Sequence, residues 1–429
     1  MLERLFELDE HQTNVRTELL AGLTTFLTMA YIIFVNPEIL ATAGMDRDAV
    51  FVATCLAAAA GTLIMGLWAN YPIALAPGMG LNAYFAFTVV GTMGLPWQTA
   101  LGAVFISGVL FFILSILRIR EWIINAIPMS LKLAISAGIG LFLGIIALKN
   151  AGIVVDHPAT LVTLGDVTQP TVLLAGLGFV VTAALHHRGV PGAIVIAILG
   201  VTVAGVALGL SPFQGIAAAP PSLAPTFLAM DLGAAFEVGL FTVIFTFLFV
   251  DLFDTAGTLV GVSHRAGLLD QDGKLPRLGR ALMADSGATM IGAALGTSTT
   301  TSYVESAAGV NAGGRTGLTA VAVAVLFLAA IFLAPLAGTV PAYATAPALF
   351  FVACLMTRGL AEVDWGDVTE YAPAVVAALA MPLTFSIANG IGLGFIAFAG
   401  IKLLSGRAGD VGVATWLIAL AFAVRFAVL

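Results

Sequence analysis

The sequence has little charge: 10% of its 429 residues are Asp, Glu, Lys or Arg, whereas 60% are apolar. A soluble protein would carry about 25% charged and about 45–50% apolar residues, so an ordinary globular enzyme of two or three domains is excluded. An excess of basic charge is also lacking, because the net charge is -7, and no nucleic-acid partner is expected. The composition predicts a polytopic membrane protein.

Cysteine is scarce as well, with only Cys55 and Cys354, each inside an apolar run. Two cysteines exclude a disulfide scaffold, and their surroundings favour small core residues over a redox or metal role. We expect no metal site and no cofactor. The polar start of the chain, Met1–Thr17, is followed by many apolar runs, which is not the pattern of a cleaved signal peptide.

Apolar runs near the length of a membrane span recur along the whole chain. A transmembrane helix needs roughly 20 apolar residues. Continuous candidates are Leu19–Val35, Val50–Leu67, Gln98–Leu117, Met129–Leu148, Val172–Leu185, Ala193–Leu210, Phe236–Val260, Ala281–Leu295, Gly317–Leu336, Ala342–Met356, Pro373–Ile387, Ile391–Leu404 and Val413–Val428. Two further runs, Pro77–Val90 and Gly296–Val310, are interrupted. The total is about fourteen spans, and Tyr371–Leu404 is either two full spans or a hairpin of shorter ones.

The basic residues indicate an orientation, since they accumulate in cytoplasmic loops. If Arg4 and Arg16 lie in the cytoplasm, the even-numbered turns should be basic. Those turns contain Arg118, Arg120 and Lys132; His186, His187 and Arg188; Arg265, Lys274, Arg277 and Arg280; and Arg315. The connection Ser211–Gly233, on the opposite side, has no Lys or Arg. We expect a plasma or inner membrane protein with a cytoplasmic N-terminus, surrounded by the lipid bilayer.

The two interrupted runs cannot be helices that face lipid. Pro72, Pro77, Gly78 and Gly80 precede Asn82, and the run GTSTTTSY, residues 296–303, precedes Glu305. Proline, glycine and β-branched polar residues weaken a helix, and unpaired backbone at membrane depth requires protein or a cavity to satisfy it. An offset of about 219 residues relates the two breaks. Breaks at corresponding places in two halves are typical of inverted-repeat transporters with a midplane site.

Few ionisable groups lie inside the apolar runs, and each is costly in hydrocarbon. Asp251 and Asp254 are three apart and share one helix face, while Glu305 and Asn82 follow the two breaks. If a helix begins at each break, the free backbone N–H groups of both helix N-termini would point into one shared space between them. Tyr303 offers a ring for stacking and a hydroxyl expected to be free. Together these groups suit a planar, neutral solute with N–H donors and C=O or ring-nitrogen acceptors, such as a nucleobase.

The same carboxylates suggest ion coupling. A buried carboxyl that can gain a proton on one side of the membrane and lose it on the other makes a proton the simplest driving ion. Sodium remains an alternative, because carboxylate, hydroxyl and carbonyl oxygens also suit it. Thr28 and Ser302 are weaker candidates, for coupling or structural support, together with Asp254.

The motifs at these residues resemble those of the azaguanine-type (AzgA-like) hypoxanthine/guanine permeases, within the nucleobase–cation symporter 2 or nucleobase–ascorbate transporter group. The matching stretches are GLTTFLTMAY (22–31), VNP (35–37), APGMGLNAYF (76–85), VDLFDTAGT (250–258), TTTSYVESAAG (299–309) and AGGRTGLT (312–319). They span most of the chain and are long and specific.

The resemblance implies an all-α fold of fourteen spans, in 7+7 inverted repeats, with two short strands at broken spans three and ten. It implies a core domain, residues 1–120 and 233–338, and a gate domain, residues 121–232 and 339–429, that supports a homodimer. In relatives, the positions of Asn82, Asp251, Glu305 and Tyr303 serve purine binding or transport, and that of Asp254 is important for function. Ala83 and Val304 are implied backbone contacts.

The hypothesis is therefore proton-coupled uptake of a purine nucleobase, guanine or hypoxanthine with adenine as a further candidate, by an elevator-like movement. One alternative is a transporter of anions or other small polar solutes on the same fold, and another is sodium-coupled nucleobase transport. Anion transport would favour basic residues beside the breaks rather than carboxylates. An intramembrane enzyme is disfavoured, because the spans contain no His/Cys metal cluster and no Ser–His pair.

Overall fold

The computed structural model describes residues 2–117, 127–236, 240–268 and 275–428 and is mainly helical in these ranges. In the first half the helices are α1 Leu2–Phe6, α2 Val15–Met29, α3 Ile32–Ala41, α4 Arg47–Ile64, α5 Met79–Ala83, α6 Trp97–Ile116, α7 Met129–Asn150, α8 Pro170–His187 and α9 Ala193–Ala207. In the second half they are α10 Leu232–Ala235, α11 Phe241–Arg265, α12 Leu278–Leu295, α13 Ser306–Asn311, α14 Gly317–Ala330, α15 Ala334–Thr339, α16 Ala342–Thr357, α17 Val368–Leu383, α18 Ile387–Leu404 and α19 Val413–Val428. Wider π-helical turns, Met65–Ala69 and Tyr84–Thr92, extend α4 and α5.

Apolar helices in this fold expose leucine and valine instead of burying them. Within the described residues, nine helical stretches are long and apolar enough to cross a membrane. On α8, Leu173, Leu177 and Val180 are each exposed by more than half, and their spacing puts them on one helix face. An apolar exposed face is unfavourable in water but matches a hydrocarbon environment. The outer faces of these helices therefore suit lipid contact.

The two interrupted runs form short strands that pair with each other. Strand β1 is Leu75–Pro77 and strand β4 is Thr300–Ser302, and they are antiparallel with Ala76 opposite Thr301. The pairing satisfies backbone groups that no helix satisfies here. Antiparallel pairing of strands from corresponding places is what two inverted copies of one unit would produce. A second hairpin, β2 Val154–His157 with β3 Leu161–Leu164, lies in the connection between α7 and α8.

The spacing between the halves is larger than the sequence suggested. Thr300 begins β4 at 225 residues beyond Leu75, and Phe241 begins α11 at 226 residues beyond Val15, compared with the expected 219. The first span begins at Val15, before the apolar run that starts at Leu19, which accounts for four residues of the difference between the helix offsets. The N-cap Asn14, whose side chain accepts a hydrogen bond from the Thr17 N–H, explains this earlier start.

The first span, predicted at Leu19–Val35, lies within the apolar helical stretch Val15–Ala41, which is long enough to cross a membrane and is interrupted by a turn. Helix α2 ends at Met29 and α3 begins at Ile32, with a turn at Ala30 and Tyr31. No glycine or proline lies at this turn, and Pro37 is six residues further on. The break coincides instead with tertiary contacts from Thr28 and Tyr31, which local sequence patterns do not reveal.

The contacts divide the chain into two compact units. The first unit contains Met1–Ile116 and Val167–Ala348, and the second contains Leu117–Asp166 and Leu349–Leu429. Residues 167–232, assigned to the gate by the resemblance, thus belong to the first unit, together with 339–348. The division into core and gate stays a prediction, and its first boundary, at residues 120 and 121, lies outside the described residues. So do Arg118, Arg120 and Lys274, which contributed to the predicted orientation.

A buried ion pair organises the second unit. Lys402 is 1% exposed, and its Nζ lies 2.6 Å from Glu370 Oε1. The Ser130 hydroxyl donates to the other carboxylate oxygen at 2.6 Å, so α7, α17 and α18 meet at one point. Three residues join α17 to α18, and Tyr371–Leu404 thus forms a helical hairpin. In this unit Cys354 is exposed, so the expectation of two core cysteines holds for Cys55 alone.

Candidate substrate site

Glu305 lies at the start of the short helix that follows β4. It occupies the N-cap position of α13, and its side chain is half-buried. The Tyr31 hydroxyl donates a hydrogen bond to Glu305 Oε1 at 2.8 Å, and Thr28 Oγ1 lies 3.4 Å from the Glu305 carbonyl oxygen. The carboxylate of the second break is therefore held by the turn that interrupts the first span.

Tyr303 connects the two broken segments. Its N–H donates to Ala74 O at 2.9 Å, which continues the β1–β4 ladder, and its hydroxyl donates to Pro77 O at 2.5 Å. The hydroxyl is therefore not free, contrary to expectation, because a buried phenol requires a partner and the Pro77 carbonyl provides one. The side chain of the next residue, Val304, is 59% exposed.

Asn82 occupies the corresponding place after the first break. Its N–H donates to Gly78 O at 2.8 Å, so Asn82 lies one turn inside α5 and is not its N-cap. The side chain is 0% exposed, and neither Oδ1 nor Nδ2 has a hydrogen-bond partner among the described residues. A buried amide without partners is unfavourable, so this side chain is suited to a ligand or water. Ala83, which follows it, is fully buried.

A second polar group lies behind β4, between α11 and α12. Asp285 on α12 is 0% exposed and accepts three hydrogen bonds. The Ser302 N–H and hydroxyl donate to Oδ1 at 2.8 Å and 2.7 Å, and the Thr255 hydroxyl donates to Oδ2 at 2.7 Å. Thr255 Oγ1 also lies 2.8 Å from Thr301 Oγ1. Asp285 thus connects β4 to both neighbouring helices, and Ser302 serves this connection.

The two aspartates of α11 differ in their surroundings. Asp251 is 1% exposed, its Oδ2 lies 3.1 Å from Thr289 Oγ1, and its Oδ1 has no partner among the described residues. It interacts electrostatically with Asp285. Asp254, three residues later, is exposed and interacts electrostatically with Glu305, and also with Asp251 and Asp285. Asp254 is therefore the aspartate of α11 that interacts with Glu305 as well as with the buried carboxylates.

Sequence reasoning missed two residues of this region, Asp285 and Tyr31. Asp285 was detectable, since it is an ionisable residue inside the apolar run Ala281–Leu295. Tyr31 lies in the middle of the first run, where a phenol needs a partner, but nothing in the sequence identifies Glu305 as that partner.

The fold and the site define a multi-pass membrane transporter. A profile of the Permease family (Xan_ur_permease) matches residues 16–393. The adenine permease AdeP of Escherichia coli (strain K12) is 52% identical over 425 residues, which are 99% of this chain and 96% of that protein. The guanine/hypoxanthine permease PbuG of Bacillus subtilis (strain 168) is 48% identical over 422 residues, or 96% of each chain. The chain belongs to the Permease family, and it is a transporter rather than an enzyme.

Solved structures confirm the fold class. The transmembrane domain of a cyanobacterium bicarbonate transporter, BicA, matches with a TM-score of 0.68 at 15% identity, covering 88% of this chain and 97% of that one. The murine anion transporter Slc26a9, in its inward-facing state, matches with a TM-score of 0.65 at 11% identity, covering 92% and 69%. At these identities the likeness shows the fold alone, that of helical inverted-repeat transporters.

Proposed function

We propose that the chain is a purine nucleobase permease that carries out proton-coupled uptake. The observation that carries this proposal is the placement of Asn82 and Glu305 just after the two paired strands, together with the buried Asn82 amide, which has no partner among the described residues. The names of the relatives, which include adenine and guanine/hypoxanthine permeases, support the substrate class. Guanine, hypoxanthine and adenine are all candidates.

The chemistry of the side chains matches a purine. A carboxylate accepts hydrogen bonds from ring or exocyclic N–H groups, and an amide both donates and accepts, so Glu305 and Asn82 complement an edge with mixed donors and acceptors. The Tyr303 ring is proposed to stack on the purine; the side chain is buried, and its hydroxyl is used by Pro77. We assign Ala83 and Val304 as backbone contacts and Asp251 as a further contributor to substrate transport.

An anion is a less suitable substrate. Asp254 and Glu305 interact electrostatically with each other, and a negatively charged solute near them would be repelled. The likeness to bicarbonate and anion transporters rests on fold at 11–15% identity, whereas the relatives named for nucleobases are 48–52% identical.

A hydrogen-bond count at Thr289 supports the proton as coupling ion. Thr289 Oγ1 lies 3.1 Å from Asp251 Oδ2 and 3.0 Å from Thr300 O, but a hydroxyl has one proton to donate. Both contacts become hydrogen bonds if Asp251 is protonated and donates to Thr289, which then donates to Thr300 O. We therefore propose Asp251 as a proton carrier, supported by Asp254, Thr28 and Ser302. Sodium is the alternative.

The same proposal includes movement, assembly and orientation. We propose an elevator-like shift of a core domain, residues 1–120 and 233–338, against a gate domain, residues 121–232 and 339–429. We also propose a homodimer formed through the gate, and a plasma or inner membrane location with a cytoplasmic N-terminus. The paired breaks support movement between inverted repeats, and the basic turns support the orientation, whereas the homodimer rests on the family resemblance alone.

Uptake of radiolabelled guanine, hypoxanthine and adenine into proteoliposomes tests the function. With an inward proton gradient we expect accumulation of at least one purine, and a protonophore should abolish it because the gradient supplies the energy. Replacing sodium with choline should leave uptake unchanged. Bicarbonate or chloride uptake without purine uptake would contradict the proposal, and dependence on sodium would contradict its coupling ion.

Replacing Glu305 tests the site. In Glu305→Ala the purine loses a charged acceptor, and such hydrogen bonds are worth about 1.5–3 kcal/mol each, so purine affinity should fall about 100-fold. Binding is measured by thermal shift of the detergent-purified protein over a purine titration. Glu362→Ala, which removes an exposed glutamate from a turn after α16, is the matched control and should bind normally.

A comparison with Asp254→Ala separates binding from turnover. Since Asp254 is exposed beside Glu305, we expect this variant to bind purine and to transport it more slowly. If Glu305→Ala binds purine with wild-type affinity, Glu305 does not contact the substrate and the proposed site is wrong at this residue.

A further inference from the structure

Tyr31 lies at the turn between α2 and α3, in the middle of the first span. Its side chain is 1% exposed, and its hydroxyl donates to Glu305 Oε1 at 2.8 Å. This is a charge-assisted bond when Glu305 is ionised, and such bonds are about twice as strong as neutral ones. The phenol of the first repeat is therefore bound directly to the acidic group of the second break.

We propose that Tyr31 is a positioning residue of the substrate site, which orients Glu305 so that its other oxygen, Oε2, accepts a hydrogen bond from the purine. The inference rests on the proposed function and assigns a new residue to the same site. Among the described residues, Tyr31 is the side chain that donates to the Glu305 carboxylate. The Tyr31 bond occupies Oε1, and the carboxylate is also bonded by its own backbone N–H, so we assign the remaining acceptor capacity of Oε2 to the ligand.

The backbone around Glu305 is held by the same span. Thr28 Oγ1 lies 3.4 Å from the Glu305 carbonyl oxygen. Helix α13 packs closely on α2, since a Cβ added at Gly309 would lie 2.1 Å from Thr25 Oγ1 and 2.6 Å from Ala21 O. The backbone that carries Glu305 is thus fixed against α2, and the Tyr31 bond fixes the carboxylate at the end of the side chain.

Fixing this side chain before binding favours affinity. A glutamate side chain has several rotatable bonds, and restricting them on binding costs conformational entropy. With Tyr31 in place, much of that restriction is present before the purine arrives. Without the hydroxyl, Glu305 must be ordered by the substrate itself, so the half-saturating purine concentration should rise while the maximal rate changes little.

Purine uptake by Tyr31→Phe tests this role, because the substitution removes one oxygen and keeps the ring. We expect KM to rise about tenfold, equivalent to about 1.4 kcal/mol, with Vmax per folded protein within about twofold of wild type, also where loss of the bond lowers the melting temperature. Tyr343→Phe is the matched control. Its hydroxyl lies 3.0 Å from Ser211 Oγ, and its loss should leave KM unchanged.

A change in KM without a matching change in Vmax distinguishes a positioning role of Tyr31 from a purely structural one. If Tyr31 only stabilised the fold, Tyr31→Phe would lower the melting temperature and Vmax in parallel and leave KM near the wild-type value. That result, or a KM of Tyr31→Phe within twofold of wild type, would overturn the positioning role of Tyr31. The proposed function would still be supported by purine uptake of the wild-type protein. Absence of purine uptake by wild-type protein would overturn both.

Discussion

Asp285→Ala is expected to abolish purine uptake and to destabilise the protein by about 3–5 kcal/mol, because it leaves buried donors of Ser302 and Thr255 without their acceptor, at about 1–3 kcal/mol each. The substitution removes all three hydrogen bonds that the carboxylate accepts from Ser302 and Thr255. The Ser302 N–H belongs to β4, so the loss releases the strand that precedes Tyr303 and Glu305. Uptake in proteoliposomes and the melting temperature in detergent are the two measurements.

Two further variants make the Asp285 prediction specific. Asp285→Asn keeps an oxygen for the Ser302 donors and places an amide nitrogen beside the Thr255 hydroxyl, so the cost should be smaller, about 1–2 kcal/mol. Asp48→Ala, which removes an exposed aspartate from the first turn of α4, should change little. Equal melting temperatures for Asp285→Ala and Asp48→Ala would contradict the role given to Asp285.

The sequence predicted the places of the two breaks because their cause is local. Proline and glycine around Pro77, and the Ser/Thr run before Tyr303, cannot continue a helix that faces lipid, and the structure forms β1 and β4 there. Hydropathy also predicted apolar helices of span length, nine of which lie within the described residues, since a run of apolar residues in a membrane needs no partner to be stable; the count of about fourteen spans stays a prediction. The fold class was therefore accessible from the sequence.

The arrangement of the polar groups was less accessible, because it depends on contacts between residues far apart in the chain. Asp251 and Asp254 differ by less than one helical turn in sequence, yet one is buried against Thr289 and the other is exposed near Glu305. The bond from Tyr31 to Glu305 joins residues 274 positions apart. A hydropathy pattern predicts that such groups need partners, but it does not choose the partners.

Glu18 is another polar residue whose partners could not be predicted from the sequence, and sequence reasoning did not identify it as important. It lies on α2, is 0% exposed, and accepts the N–H groups of Arg315, Thr316 and Thr319 at 2.8–3.2 Å. The Thr319 hydroxyl donates to it at 2.6 Å. These N–H groups lie at the start of α14, where the Arg315 and Thr316 N–H groups have no helical carbonyl and the Thr319 N–H is shared with Thr316 O at 3.2 Å. A carboxylate there is favoured by the helix dipole.

Glu18→Ala should therefore lower the stability of the protein by about 2–6 kcal/mol. It leaves the N–H groups of Arg315 and Thr316 without an acceptor, each at a cost of about 1–3 kcal/mol. Thr316 already caps the Leu318 N–H and Asn70 already accepts from the Gly317 N–H, so neither can replace Glu18 without losing its own bond. The melting temperature of the detergent-purified variant is the measurement, with Glu10→Ala, an exposed glutamate before α2, as control.

Glu18→Gln refines the test of Glu18. A glutamine supplies one acceptor oxygen in place of two, and its amide nitrogen would face N–H groups that also donate, so we expect a melting temperature between those of Glu18→Ala and wild type. Because Glu18 bonds the start of α14 rather than the groups around Glu305, the folded fraction of either variant should keep a wild-type KM for purine. A raised KM at unchanged stability would place Glu18 in the substrate site instead of in the joint between α2 and α14.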